Sequence, residues 1–370
     1  MATPHDAAEP GSLVVPEPRK GQGDVKLSHG EFARRIRERF CDSAFDTVQA
    51  ELERVIDVAW QVYDDYRKSP LKRPAGEGFA NPQLELPVEW LETRASIHAA
   101  EARYRDRSRA PRVLLVCGAA RHDQTCPGEM SKSFRLTSIA REEFSRASVD
   151  CDFLDLSLQT AQYGRQILPC KACVSTAMPL CHWPCSCYPN HAMGQVNDWM
   201  HEIYPRWVAA HGVMLVTPVY WYQAPSVLKL MIDRLVCADG GNPDPTTTHG
   251  KNAKLAKELE LRGWEYPRHL AGRYFSIVVH GDAAGTEVLR RSLTDWLHDM
   301  HLVQAGYPAT IDRLVGYYEP YATSHVALDA DTALQEEVRT AARVLIAAIR
   351  EGRETGRVSP GLAFHEARPK

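Results

Sequence analysis

The chain has 370 residues, a formal net charge of −3 and a hydrophobic fraction of 44%, so it can bury a sizeable core in one large domain or two. The near balance of charge excludes a nucleic-acid footprint over the whole surface, and no stretch reaches the length of a membrane span. The opening MATPHDAAEPGSLVVPEPRKGQG lacks the apolar core of a signal peptide, so a cytoplasmic protein is expected.

Residues 1–26 are rich in Pro, Gly and charge and are expected to be a disordered tail. A helical N-terminal extension over 27–110 follows. Ser28 and Glu31 have capping-box spacing, and Phe32, Ile36 and Phe40 recur along one face. Ser43 and Asp46 mark a second start, from which Phe45, Val48, Leu52, Val55, Ala59 and Val62 give a helical stripe to about Tyr66. A Pro/Gly-rich linker over 70–82 precedes a third helix, opened by Pro87 and carrying Trp90, Arg94, Ile97 and Tyr104. Nothing in this extension carries recognisable chemistry. Its apolar stripes are expected to cover the core domain or a neighbouring subunit.

From Arg112 strand alternates with helix to about residue 352, with a short tail over 353–370. Val113–Val116 and Val149–Leu156 read as buried strands, separated by a loop from Gly118 to Ser131 and a helix to about Ala147. A Cys-rich segment over 169–191 precedes a helix with Val196, Met200, Ile203 and Trp207. The apolar run Val213–Val216 is a third strand, and Pro225 opens the helix behind it. A polar insertion over 239–269 reads either as a lid or as a solvated helical excursion. Tyr274–Val279 is a fourth strand, backed by Leu289, Leu293, Trp296 and Met300 at helical spacing. Val303–Tyr307 serves as a fifth strand, and Leu334, Val338, Ala342, Leu345 and Ile349 mark a closing helix. This pattern predicts a doubly wound, five-stranded parallel sheet of order 2-1-3-4-5.

In such a sheet ligands bind outside the carboxyl ends of the strands. The first strand runs into CGAARHDQTCPGEMSKSFRL. A loop there entering a helix can hold a phosphate on backbone N–H groups, with charge from Arg121 and Lys132 and hydroxyls from Thr125, Ser131 and Ser133. It is neither the dinucleotide fingerprint nor the GKS/T loop, and a terminal monophosphate such as that of FMN suits it. An ordinary charged turn fits the same residues. The third strand ends in PVYWYQAP, where Tyr220, Trp221 and Tyr222 can present aromatic faces to a flat ring or pack a core. The fourth ends in HGDAAGTE, where Gly281 and Gly285 allow close approach and Asp282 can cap the next helix. The strand order sets these three loops side by side.

GAARHDQT, PVYWYQAPSVLKLMIDR and HGDAAG together resemble the flavodoxin-like family of NAD(P)H-dependent FMN reductases, which also includes quinone reductases and iron–sulfur flavoproteins. The resemblance covers roughly 112–350. It implies a flavodoxin-like FMN-binding domain over 111–352 with a phosphate near Arg121, Thr125, Ser131 and Lys132. The flavin ring would then lie against Pro218, Val219, Tyr220 and Trp221, near Gly281 and Asp282. Ala119 replaces the family's usual serine, so a phosphate hydroxyl must come from Thr125 or Ser131. The activity implied is hydride transfer from NAD(P)H, with electrons passed to a flavin, quinone or similar small acceptor. The alternative is a non-enzymatic flavin electron-transfer protein. The flavin carries the chemistry, so no protein acid or base is assigned. The apolar helix after Pro225 (Val227, Leu228, Leu230, Met231, Ile232, Leu235) fits burial in a homodimer or homotetramer.

Ten cysteines in a chain this long are not a small disulfide scaffold. In a reducing compartment, five of them within 18 residues favour metal, redox chemistry or burial. Cys170 and Cys173 have the gap of a metal knuckle, and Cys181, Cys185 and Cys187 offer further thiols, with His182 and His191 as possible imidazole ligands. An iron–sulfur cluster, zinc or no metal all fit. Thr176 stands where iron–sulfur relatives carry a third closely spaced cysteine.

Overall fold

The computed structural model describes residues 13–65, 71–188 and 198–356. The readings placed on 1–12, Tyr66, His191, Val196 and 357–370 lie outside these residues. In chain order the extension contains α1 (His29–Arg37), α2 (Gln49–Asp64), β1 (Lys72–Pro74), β2 (Glu85–Pro87) and α3 (Val88–Arg105). The larger unit contains β3 (Arg112–Cys117), α4 (Lys132–Arg146), β4 (Asp150–Asp155), α5 (Leu158–Ala161), α6 (Met200–Ala209), β5 (Gly212–Pro218) and α7 (Ser226–Arg234). It closes with α8 (Ala253–Leu261), β6 (Tyr274–Gly281), α9 (Thr286–Asp299), β7 (Val303–Gln304), β8 (Thr310–Leu314), α10 (Ser324–Ala330) and α11 (Thr332–Thr355).

The main sheet is parallel, in the order β4-β3-β5-β6, with β7 and β8 both pairing with the outer side of β6. This is the flavodoxin-like, doubly wound order expected from the sequence. Because strand side chains alternate, each central strand feeds two cores. Leu114, Val116, Val213, Leu215, Phe275 and Ile277 pack with α6, α7 and α9. Val113, Leu115, Met214, Val216 and Val278 pack with α4 and α11. Burial on both faces is why these strands read as unbroken apolar runs.

The fifth strand differs from its expected span of 303–307. Val303 and Gln304 pair with Tyr274 and Phe275, and a 3-10 turn at Tyr307–Ala309 interrupts the edge. Thr310–Leu314 then resumes pairing with Ile277–Gly281. Pro308 has no N–H to offer a ladder, and the Ser276 hydroxyl donates to the Ala309 carbonyl at 2.7 Å across the break.

Two readings of the extension change, and its third helix covers the core as expected. The linker contains a hairpin, in which β1 and β2 pair antiparallel and enclose Phe79 and Leu86 with Trp90 and Leu91. The second helix is capped by Asp42, whose side chain accepts from the Ala44 N–H, and starts as a 3-10 turn. Its buried face is accordingly Leu52 and Ile56, against Ala33 of α1, while Phe45, Val48 and Val55 are exposed. α3 lies on α6 as part of the main core, with Ile97 fully buried.

The insertion is neither a lid nor a solvated excursion. It packs on the Cys-rich segment: Ala256 of α8 meets Ala177 and Leu180, and the Asn242 N–H donates to the Cys181 carbonyl at 2.7 Å. Val227, Leu228, Met231 and Leu235 around α7 are buried within their own chain, so their apolarity does not point to a second subunit.

Candidate functional site

The carboxyl ends of β3, β5 and β6 lie side by side at one sheet edge. At the first, the Gly118 N–H donates to the Val216 carbonyl at 2.8 Å. A Cβ on Gly118 would stand 2.8 Å from Thr217 Oγ1 and 2.9 Å from its Cβ, so only glycine lets this loop cross β5. At the third, the Val219 N–H donates to the His280 carbonyl at 2.9 Å, and a Cβ on Gly281 would meet Val219 Cγ1 at 2.5 Å. Gly285 has φ +110° and approaches Tyr222 so closely that a Cβ would lie 3.0 Å from its Cα. The three loops therefore meet through backbone.

The α4 N-terminus rises over this junction. Ser131 is its N-cap and accepts from the Phe134 N–H at 3.0 Å. Among the described residues the Lys132 and Ser133 N–H groups have no partner, leaving two donors at the positive end of a 15-residue helix. Side chains tie α4 to the end of β6. Ser133 Oγ lies 2.7 Å from His280 Nε2, and the largely buried Lys132 is bonded to Asp282. Burial, helped by the charge of Lys132, pushes the His280 imidazole down to about 3, so it is neutral at pH 7.

The expected binding residues fall as follows. Ser131 and Lys132 sit at the helix start, but the Lys132 ammonium already neutralises Asp282 and is not a free phosphate ligand. Arg121 reaches Glu129 at 3.2 Å across an exposed loop, a pair weak enough to re-aim. The Thr125 hydroxyl donates to the His122 carbonyl at 3.4 Å. Pro218 is buried and Val219 half-buried beside Gly281 and Asp282. Tyr220 and Gln223 exchange two backbone hydrogen bonds of 2.9 Å, with Trp221 and Tyr222 at φ +46° and +64° between them. This left-handed turn leaves Trp221 94% exposed. Tyr220 is close enough to Arg121 and Asp282 to feel their charge, while burial raises its own hydroxyl. All ten residues thus gather around one edge.

A fourth segment at that edge is absent from the expected set. The Val315 N–H donates to the Gly281 carbonyl at 2.8 Å, and the loop beyond it exposes Tyr317, Tyr318 and Tyr321. Its helix α10 sets His325 3.7 Å from Glu129. The run YYEPY is the available signal. Placing the fifth strand at 303–307 hides it, because the loop then no longer follows a strand. Two surface clefts, one of about 530 Å³ beside Ser138 and Asp150 and one of about 540 Å³ beside Tyr307 and Glu337, are lined by none of these ten residues.

The cysteines gather elsewhere, around the turn that ends α7. Among the described residues no three of His, Cys, Asp and Glu form a group that could hold a metal, so no metal site is shown for Cys170, Cys173, Cys181, Cys185 and Cys187, although Cys187 is hydrogen-bonded to both Cys173 and Cys185. All are free thiols. Burial raises the Cys181 thiol well above its usual range, and the Cys170 sulfur accepts from the Ala172 N–H at 3.4 Å. His182 is buried, with ring nitrogens 2.5 Å from Ser186 Oγ and 3.0 Å from Thr248 Oγ1. Burial holds it neutral.

A family model described as NADPH-dependent FMN reductase matches residues 111–311. Among solved structures, RosB with a bound intermediate is 12% identical, with a TM-score of 0.47 over 68% of this chain and 83% of that one. An NADH:FMN oxidoreductase, EmoB, in its apo form is 12% identical, with a TM-score of 0.36 over 64% of this chain and 90% of its own. An azoreductase from Bacillus anthracis str. Sterne is 14% identical, with a TM-score of 0.36 over 63% and 98%. No curated protein matches the chain. No helix among the described residues is long and apolar enough to cross a membrane.

Proposed function

Since the chain belongs to the NADPH-dependent FMN reductase family, we propose that the edge formed by β3, β5 and β6 holds FMN and that the protein takes hydride from NAD(P)H and passes electrons to a small acceptor. The observation that carries this reading is the glycine-lined junction. At Gly118 and Gly281 the backbone comes closer to its neighbours than any side chain allows, and two unpartnered α4 amides face outward beside it.

The donor set fits a flavin monophosphate. The Lys132 and Ser133 amides, the Ser131 and Thr125 hydroxyls and a re-aimed Arg121 supply hydrogen bonds and one positive charge for a terminal phosphate. The Lys132–Asp282 pair holds the third loop against α4 and keeps a carboxylate neutralised near that phosphate. The 218–221 segment offers one wall for a planar ring. The exposed Trp221 and Tyr222, and the exposed Tyr317 and Tyr318 on the loop beyond Val315, offer aromatic faces on which a nicotinamide or acceptor can stack. When bound, FMN accepts hydride and releases electrons singly or in pairs. The chain's own part is to bind, orient and leave one face accessible.

Anaerobic titration of the FMN-loaded protein tests this. The oxidised flavin band is expected to bleach within the turnover time on adding NADPH or NADH, and to recover on adding a quinone. A band that ignores both nucleotides and yields only to a reduced redox protein would replace the reductase by an electron shuttle.

A further inference from the structure

We propose that Cys173 and Cys187 are a reversible dithiol–disulfide pair, a redox modification site that takes low-molecular-weight disulfides and is separate from the flavin edge. Cys173 opens a 3-10 turn at Cys173–Ser175, and Cys187 lies on the far side of the Cys-rich loop. Their sulfurs are 3.3 Å apart, so a side-chain rotation suffices to bring them to bonding distance of about 2.05 Å. Both are partly exposed, whereas Cys181 and Cys237 behind them are buried.

The insertion supplies the electrostatics. Lys251 places Nζ 3.6 Å from Cys173 Sγ and is anchored by donating to the Leu180 carbonyl at 2.9 Å. The Cys187 thiol, through its hydrogen bond, and then Lys251 bring Cys173 down to about 7 against the opposing effect of burial. A thiol near ambient pH is the best attacking group in exchange chemistry. The surrounding cysteines differ: burial drives Cys181 and Cys237 up, and Cys185 is driven up first by its hydrogen bond with Cys187 and then by burial.

The exchange balances. The Cys173 thiolate attacks one sulfur of a small disulfide RS–SR, that bond breaks, and one RS⁻ leaves and is protonated. Cys187 then loses its proton and attacks the Cys173 sulfur of the mixed disulfide, releasing the second RS⁻. One small disulfide is reduced to two thiols, two protein thiols are oxidised to one disulfide, and the two cysteine protons end on the small thiols.

The test uses the full FMN-loaded chain, reduced, freed of reductant and exposed to oxidised glutathione. Two of the ten thiols are expected to disappear, with a mass loss of about 2 Da for the two hydrogens. Trypsin leaves Cys173 and Cys187 on one peptide, 172–206, and chymotrypsin cleavage of that peptide after Leu180 should then leave the Cys173 and Cys187 halves joined until dithiothreitol is added. Cys173→Ser and Cys187→Ser should each abolish that link, Cys170→Ser should keep it, and Lys251→Gln should form it several-fold more slowly. Ten persistent thiols would overturn the proposal, as would a link through Cys181 or Cys185. So would stoichiometric zinc or iron, in protein purified without oxygen, that shields both sulfurs.

Discussion

Three positions at the sheet edge admit no side chain, and each for a different reason. Gly118 is closed by Thr217, Gly281 by Val219, and Gly285 by both a positive φ and the Tyr222 backbone. Gly281 is the most telling. The added Cβ would meet Val219 Cγ1, Thr286 Cγ2 at 3.0 Å and the Ala283 carbonyl oxygen at 3.2 Å, and the Val219 backbone is held by its N–H bond to the His280 carbonyl, so relief falls largely on the loop that would face the flavin. Gly281→Ala is therefore expected to weaken FMN binding by about tenfold or more, roughly 1.4 kcal/mol, while far-ultraviolet circular dichroism stays unchanged. Quenching of FMN fluorescence on titration measures it. Gly30→Ala, on α1 with open space around it, serves as the control. Equal affinity in Gly281→Ala and wild type would remove this junction from the cofactor site.

Among the elements, α3 decides whether the extension is an appendage or part of the domain. Trp90 is 1% exposed, and its indole N–H donates to the Pro184 carbonyl at 2.8 Å. Farther along, Glu101 meets His269 at 2.6 Å, and the Arg273 guanidinium lies 4.3 Å from the centre of the Tyr104 ring. Trp90→Ala is expected to cost about 3–5 kcal/mol in urea unfolding. Val55→Ala, on the exposed side of α2, should stay within about 0.5 kcal/mol, and a larger loss there would restore the stripe read from the sequence. The same elements mark what was legible beforehand. The three central strands, β3, β5 and β6, announced themselves because burial on both faces writes a continuous apolar run, and their loops because Gly and Pro punctuate the ends. The fifth strand did not, since its edge is shared between Val303–Gln304 and Thr310–Leu314 across a proline-containing turn. α2 slipped because a 3-10 start shifts which residues face inward. The links that make the junction, Lys132 to Asp282 and Ser133 to His280, join residues distant in the chain, and a single sequence has no periodicity to reveal them. The pairing of Cys173 with Cys187 and Lys251 was hidden for the same reason: composition marked the crowding but not the partners.

Across the whole molecule, histidines impose a pH dependence. Burial depresses His280 to about 3 and His211 and His269 to about 4, against 6.5 for the unfolded chain. Between these values the unfolded state binds more protons than the folded one, so stability rises with pH. The contribution is complete above about pH 6.5 and is lost as pH falls through that value toward 4 and then 3. Asp152 acts in the same direction only at lower pH. Burial works to raise it, but hydrogen bonds and charge from Arg206, joined by Arg112, hold it below the usual carboxylate range. Between about pH 7.5 and 5 the histidines dominate, with Cys173, held at about 7, adding a smaller loss of the same sign at the upper end, and each buried imidazole is expected to remove up to roughly 2 kcal/mol. Urea unfolding at the two pH values should show a fall of a few kcal/mol in total, carried by the midpoint and not by the slope. His280→Gln, which keeps a polar partner for Ser133, should flatten the dependence by about one proton's share, near 1.4 kcal/mol per pH unit at most. Its effect on the flavin edge separates from the effect on stability, because FMN titration at pH 7.5 compares forms in which the wild-type imidazole is already neutral. A midpoint that does not move between the two pH values would mean that these rings are solvated and charge freely in the folded chain, and the packing of α4 against the end of β6 would have to be looser than described.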